Sequence, residues 1–171
     1  MKFKLSLIIV ISLLLSGCTL LGQQNSKNVS PKAPVNNPPS PSKEKPINNK
    51  LDLSNQQLKK VPDDIFNQTN LEELDISNNQ LTGAIQAEIR RLQNLKVLKA
   101  NNNLMTGVPA EIGQLPNLQI LDLSNNRLTG LPYELGNLKN LKTFNISGNN
   151  YSTLDLNIIM EKLPANVKII K

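Results

Sequence analysis

The stretch Leu118–Asn140, LQILDLSNNRLTGLPYELGNLKN, sets the ruler by which the rest of the chain is read. Counted as places 1 to 23, it puts Leu118, Leu121, Leu123, Leu128, Leu131, Leu135 and Leu138 at places 1, 4, 6, 11, 14, 18 and 21. Asn126 holds place 9 and Pro132 place 15, and Leu141 begins the pattern again. Places 4 and 6 are apolar while 3, 5 and 7 are mostly polar, which is the period of a strand with one buried face. The unit from Leu95 repeats it with Leu98, Ala100, Asn103, Met105, Val108, Pro109, Ile112 and Leu115. The unit from Leu71 has Leu74, Ile76, Asn79 and Leu81, then one extra residue before Ile89 and Leu92. The unit from Leu141 has Phe144, Ile146, Asn149, Tyr151, Leu154 and Ile158, and an irregular first unit starts at Asn48. Starts at 48, 71, 95, 118 and 141 give steps of 23, 24, 23 and 23. A truncated sixth start at Pro164 puts Val167 and Ile169 at places 4 and 6.

These residues resemble the leucine-rich repeat family, whose signature L-x-x-L-x-L-x-x-N-x-L recurs every 20 to 29 residues or about that. Leu81-Thr82-Gly83-Ala84-Ile85 is similar to the L-T-G-x-I-P variant, with Gln86 in place of its proline. The resemblance implies an α/β solenoid of five to six coils, with a parallel concave sheet and a short helical or irregular convex side. Strands are expected near 50–54, 73–77, 97–101, 120–124 and 143–147, with a short last one at 167–169. In the family the place-9 asparagines, here Asn79, Asn103, Asn126 and Asn149, form a ladder that satisfies backbone groups of their own and the adjacent coil. Gln56 at that place implies a frayed first coil. Pro62, Pro109 and Pro132 suit the first turn of a return helix, where a missing N–H is harmless. Leu156, Ile158, Ile159, Leu163, Val167, Ile169 and Ile170 are read as a C-terminal cap. A single unit is too small to enclose a core, so stability belongs to the stacked array.

Ahead of the repeats, Met1-Lys2-Phe3-Lys4 is a cationic start and Leu5 to Leu15 an apolar run broken only by Ser6 and Ser12. That run is shorter than the roughly 20 residues a membrane span needs, and has the shape of a secretory signal. Leu15-Ser16-Gly17-Cys18 resembles the lipobox of bacterial lipoproteins, which implies cleavage before Cys18 and a diacylglyceryl group on its thiol. Two or three acyl chains would anchor the protein stably. Thr19 stands where an aspartate would favour inner-membrane retention, which points to the outer membrane where the source has one. Residues 19 to 47 hold six of the 11 prolines and few large apolar side chains, the composition of a disordered spacer. The expected organisation is a signal at 1–17, lipidated Cys18 and tether at 18–47, and a repeat domain at 48–171. The expected location is the cell envelope, outside the cytoplasm.

The formal charge of +6 is unevenly placed. Residues 1–47 carry six lysines against Glu44, and residues 48–171 carry 13 basic against 12 acidic side chains. A repeat domain this close to neutral offers no basic face for a nucleic-acid backbone. The sequence has no histidine and one cysteine, already assigned to the anchor, so most nucleophilic and metal chemistry lacks its residues. Asp63-Asp64 and Glu72-Glu73 are read as solvated surface. Neither an enzyme activity, a cofactor nor a metal is expected.

What remains is recognition, and the resemblance puts it on the concave face. Place 3 supplies Lys50, Glu73, Val97, Ile120 and Thr143. Place 5 supplies Asp52, Asp75, Lys99, Asp122 and Asn145, and place 7 Ser54, Ser77, Asn101, Ser124 and Ser147. Val97 and Ile120 are neighbouring apolar residues facing solvent, and Lys99 breaks a row of acids. Together with Asp75, Asp122, Arg127 and Asn145 they make up a candidate protein-binding centre, an apolar pair in a polar ring. A cell-wall or carbohydrate binder and a passive structural spacer remain as alternatives. The near absence of aromatic side chains argues against sugar stacking.

Overall fold

The computed structural model describes residues 49–171. The expected signal, Cys18, the tether and the unit start at Asn48 lie outside the described residues. Along the chain come β1 (Lys50–Asp52), β2 (Glu73–Asp75), β3 (Thr82–Gly83), β4 (Val97–Lys99) and β5 (Leu104–Met105). They are followed by β6 (Ile120–Asp122), β7 (Thr143–Asn145), the helix α1 (Thr153–Met160) and β8 (Lys168–Ile170). Strands β1, β2, β4, β6, β7 and β8 make one six-stranded sheet in that order, every pair parallel. This is an α/β leucine-rich repeat solenoid.

The strands are three residues long rather than five. In β1, β2, β6 and β7 place 5 also bonds to the turn that follows the strand. Its carboxylate or amide oxygen accepts the N–H of place 7, as in Ser54 to Asp52 at 2.9 Å, Ser77 to Asp75 at 3.0 Å and Ser124 to Asp122 at 3.0 Å. That local bond supports the turn out of the strand, and β4 ends at the same place with Lys99 and no such bond. Coil-to-coil bonding nevertheless continues through place 6, where Ile76 N–H donates to Lys99 O at 2.8 Å and Leu123 N–H to Asn145 O at 2.8 Å. Place 8 then takes a positive φ in every coil: Asn55, Asn78, Asn102, Asn125 and Gly148. Asparagine and glycine tolerate this conformation best among the residue types, which is why the turn is written with them.

The core is the ladder of inward places. Leu71, Leu95, Leu118 and Leu141 stack from coil to coil, as do Leu74, Leu98, Leu121 and Phe144, and all are buried. In the first coil Leu51, Leu53 and Leu58 are only partly buried, since they have a neighbouring described coil on one side alone. The return path is tighter than an α-helix. Four 3-10 turns, Asp63–Asn67, Ala87–Arg91, Ala110–Gln114 and Tyr133–Asn137, cross the convex side. Pro62, Pro109 and Pro132 stand one residue before those turns rather than inside them, with φ between −71 and −58. Gln86 takes the same position in its coil at φ −63, and its side-chain amide donates to Val61 O and Asp63 Oδ1 of the coil before. At Gly113 an added Cβ would lie 2.2 Å from Glu134 O, so adjacent turns approach there as only glycine allows.

Two features depart from the expectations. A second sheet pairs β3 with β5 in parallel, beyond the ladder asparagines. The last coil also breaks register. Phe144 pairs with Ile169 and Thr143 with Lys168, so Ile169 takes place 4, Lys168 place 3 and Ile170 place 5. The sixth unit therefore starts two residues later than Pro164. The cause is α1, an eight-residue helix where other coils have a five-residue turn. Ser152 caps it by accepting the Asp155 N–H at 3.3 Å, and Leu156 and Ile159 are its buried residues. Leu154, expected inward at place 14, is 65% exposed.

Candidate binding face

Strand pairing puts the outward side chains into rows across the sheet. One row runs Lys50, Glu73, Val97, Ile120, Thr143 and Lys168, and the next runs Asp52, Asp75, Lys99, Asp122, Asn145 and Ile170. Val97 and Ile120 are direct cross-strand partners, half-buried and 38% exposed respectively. They form the apolar centre of the face.

Lys99 is not a lone cation. Its Nζ lies 2.9 Å from Glu73 Oε1 and 3.4 Å from Asp75 Oδ2, while Lys50 Nζ lies 2.8 Å from Glu73 Oε2. One place earlier in the repeat, Lys96 pairs with Glu72 at 2.7 Å. The hydrogen bonds from Lys50 and Lys99 hold the Glu73 carboxyl below the usual carboxylate range. The same bond to Glu73, and then Asp75, raises the Lys99 ammonium above its ordinary value. Lys96 and Asn49 lower Glu72 in the same way, and the Ser54 backbone N–H lowers Asp52. Across β1, β2 and β4, Lys50, Glu73, Lys99 and Asp75 thus form one ion-pair network.

The remaining acids and amides of place 5 are partly committed to their own turns. Asp122 Oδ1 accepts the Ser124 N–H and hydroxyl at 3.0 and 2.7 Å, and Asp75 Oδ1 accepts those of Ser77 at 3.0 and 2.6 Å. Asn145 Oδ1 does the same for Ser147 at 3.3 and 2.9 Å. Arg127 does not join the centre. It lies past the ladder asparagine, where its N–H donates to Met105 O at 2.8 Å beside the second sheet. Among the described residues its guanidinium has no ion pair.

The four place-9 asparagines lie below the face. Asn126 Nδ2 donates to Ala100 O and Leu123 O at 3.0 Å and Ser124 O at 3.2 Å, and its Oδ1 accepts the Met105 N–H at 3.1 Å. Asn79 serves Leu53, Ile76 and Ser77 carbonyls and the Gln56 and Leu58 N–H groups. Asn103 reaches Ile76 O and Leu81 N, and Asn149 reaches Leu123 O and Leu128 N, so each ties its coil to the one before.

Other contributors escaped the sequence reading. Lys168 and Ile170 also belong to the face: the two-residue shift at β8 leaves them outward and moves them from places 5 and 7 to places 3 and 5. The place-8 asparagines link their side chains, Asn125 to Asn102 and Asn102 to Asn78, each at 2.9 Å. A further ladder precedes β4, β6 and β7, where Asn94, Asn117 and Asn140 donate to Thr69, Gln93 and Pro116 carbonyls. Their signal was present in the sequence, since an asparagine ends each of the first four units. No group of three or more His, Cys, Asp or Glu among the described residues is placed to hold a metal ion.

Comparison with known proteins agrees with this geometry. The family described as Leucine rich repeat matches residues 49–105 and 70–128, and that described as Leucine Rich repeats (2 copies) matches residues 116–158. The curated proteins give no match. Among solved structures, a leucine-rich repeat protein of Leptospira interrogans is 36% identical with a TM-score of 0.63, over 67% of this chain and 29% of that one. The plant peptide hormone receptor RGFR1, solved in complex with RGF2, is 38% identical with a TM-score of 0.59, over 70% of this chain and 20% of the receptor. The ectodomain of the receptor kinase SOBIR1 from Arabidopsis thaliana is 30% identical with a TM-score of 0.57, over 70% and 65%. The chain thus spans less than a third of the first two and under two thirds of the third. With matches running from residue 49 to residue 158 and six parallel strands in the family's register, the chain belongs to the leucine-rich repeat family.

Proposed function

We propose that this is a non-catalytic, lipid-anchored module of the bacterial cell envelope that binds another protein through its concave face outside the cytoplasm. The observation that carries the binding reading is the cross-strand pair Val97–Ile120, an apolar centre beside a network of charges already paired with one another. Such a centre contributes by excluding water from a partner, while the paired charges around it give register. Solved relatives in complex with peptide or protein partners support the same use of the fold. The anchor rests on Leu15-Ser16-Gly17-Cys18 and the composition of the stretch behind it.

Photo-cross-linking from Thr143 on intact cells, followed by mass spectrometry, tests the binding reading. A single protein captured by the native sequence and lost in the Val97→Ser/Ile120→Ser variant is the expected result. Capture that survives both substitutions removes the concave face from the proposal. The anchor is tested separately: Cys18→Ser should release the protein from the membrane fraction, and unchanged retention would refute lipidation.

A further inference from the structure

The charges of the face are divided unequally between its two halves. Over β1, β2 and β4, Lys50, Lys96 and Lys99 are each within ion-pair distance of Glu72, Glu73 or Asp75. Beyond the apolar pair the balance changes. Lys168 stands in the same row as Val97 and Ile120, across from Thr143. Lys142 immediately precedes β7 and occupies the place that Lys96 holds two coils earlier. Both are exposed, and neither has a carboxylate within 4.0 Å among the described residues. The one acid in the outward rows here is Asp122, whose Oδ1 is held by Ser124. Ile170, beside Asn145, adds a half-buried apolar surface next to Lys168.

Resting on the concave-face reading above, we infer that the partner presents an acidic, apolar-anchored segment. An aliphatic or aromatic side chain would cover Val97 and Ile120, and one or two carboxylates would meet Lys142 and Lys168. Strands stand about 4.8 Å apart, so Ile120 on β6 and Lys168 on β8 are separated by roughly 10 Å. An extended chain crossing the sheet covers that in about three residues, which places the acid about two to four positions from the anchor. The charges also exclude one occupant nearer at hand. Residues 19–47 of this chain carry Lys27, Lys32, Lys43 and Lys45 against Glu44, the wrong sign for these lysines.

The test selects a randomised linear peptide library on the purified full chain. The recovered peptides should pair a large apolar residue with Asp or Glu at that spacing. Their affinity should fall about tenfold or more against Lys142→Glu/Lys168→Glu and against Ile120→Ser, and fall with rising salt. Lys59→Glu, away from the sheet, should leave it unchanged, and thermal melts confirm that each variant is folded. Peptides of basic or neutral consensus that need Ile120 but ignore both lysines overturn the acidic partner and leave the concave face standing. Peptides indifferent to Ile120, or a selection that enriches nothing, overturn this inference and count against the concave face as well.

Discussion

Asn126 shows how much one amide can hold. It is 8% exposed and makes three donated bonds and one accepted bond, all to backbone groups, two of them in the coil before. Those carbonyls and the Met105 N–H have no solvent to turn to, so an alanine leaves several buried groups bare. Asn126→Ala is expected to cost about 3 kcal/mol in chemical denaturation, against well under 1 kcal/mol for an exposed side chain without such partners. A loss under about 1 kcal/mol would mean that water replaces the ladder freely. Gly148 is its counterpart in the turn row. It has φ +68, a conformation that asparagine fills in the other coils, and an added Cβ would lie 2.3 Å from Asn125 Oδ1, so that amide would have to turn away.

At the scale of elements, the strands β1, β2 and β4 are joined outside the ladder by the Lys50–Glu73–Lys99–Asp75 network. Glu73, with its carboxyl lowered, contributes stability that is present above its unfolded value near pH 4.3 or thereabouts and is lost as pH falls through the folded value. Lys99, raised, contributes stability that is present below about pH 10.4 and is lost as pH climbs through the folded value. The network is therefore fully formed around neutrality and fails first on the acid side. Glu73→Gln should lower stability at pH 7 by about 1 kcal/mol, because solvent screens the pairs, and the gap between variant and native protein should close below about pH 4. A gap that persists at acid pH would assign the effect to packing. The helix α1 is the other decisive element. Its eight residues consume more chain than a 3-10 turn, and that surplus shifts β8 by two residues, which sets Lys168 in the row of Thr143 and Ile170 in the row of Asn145.

At the scale of the whole repeat domain, no coil has a core of its own. Leu121 is fully buried, in β6 between β4 and β7, so its contacts belong to the array. Leu121→Ala should cost roughly 2–5 kcal/mol. Calorimetry should still give one transition, because neither flank has a core that holds once the central coil is lost. Two resolved transitions would show that the halves fold independently.

The sequence by itself determined the inward half of this protein. Leucine or its equivalent at places 1, 4 and 6, with the family resemblance those places carry, made coil number, strand order and the place-9 asparagines legible in the sequence. The outward half was not. Whether Lys99 is an available cation depends on Glu73 and Asp75, which lie more than 20 residues away in sequence and meet it only when the coils stack. The same holds at the far end, where a spacing counted from Leu141 misplaced Val167 and Ile169 because it could not tell a helix from a turn. Burial is written residue by residue, since each apolar side chain carries its own reason to face inward. Charge pairing and register across coils are properties of neighbours, and only the assembled stack decides who the neighbours are.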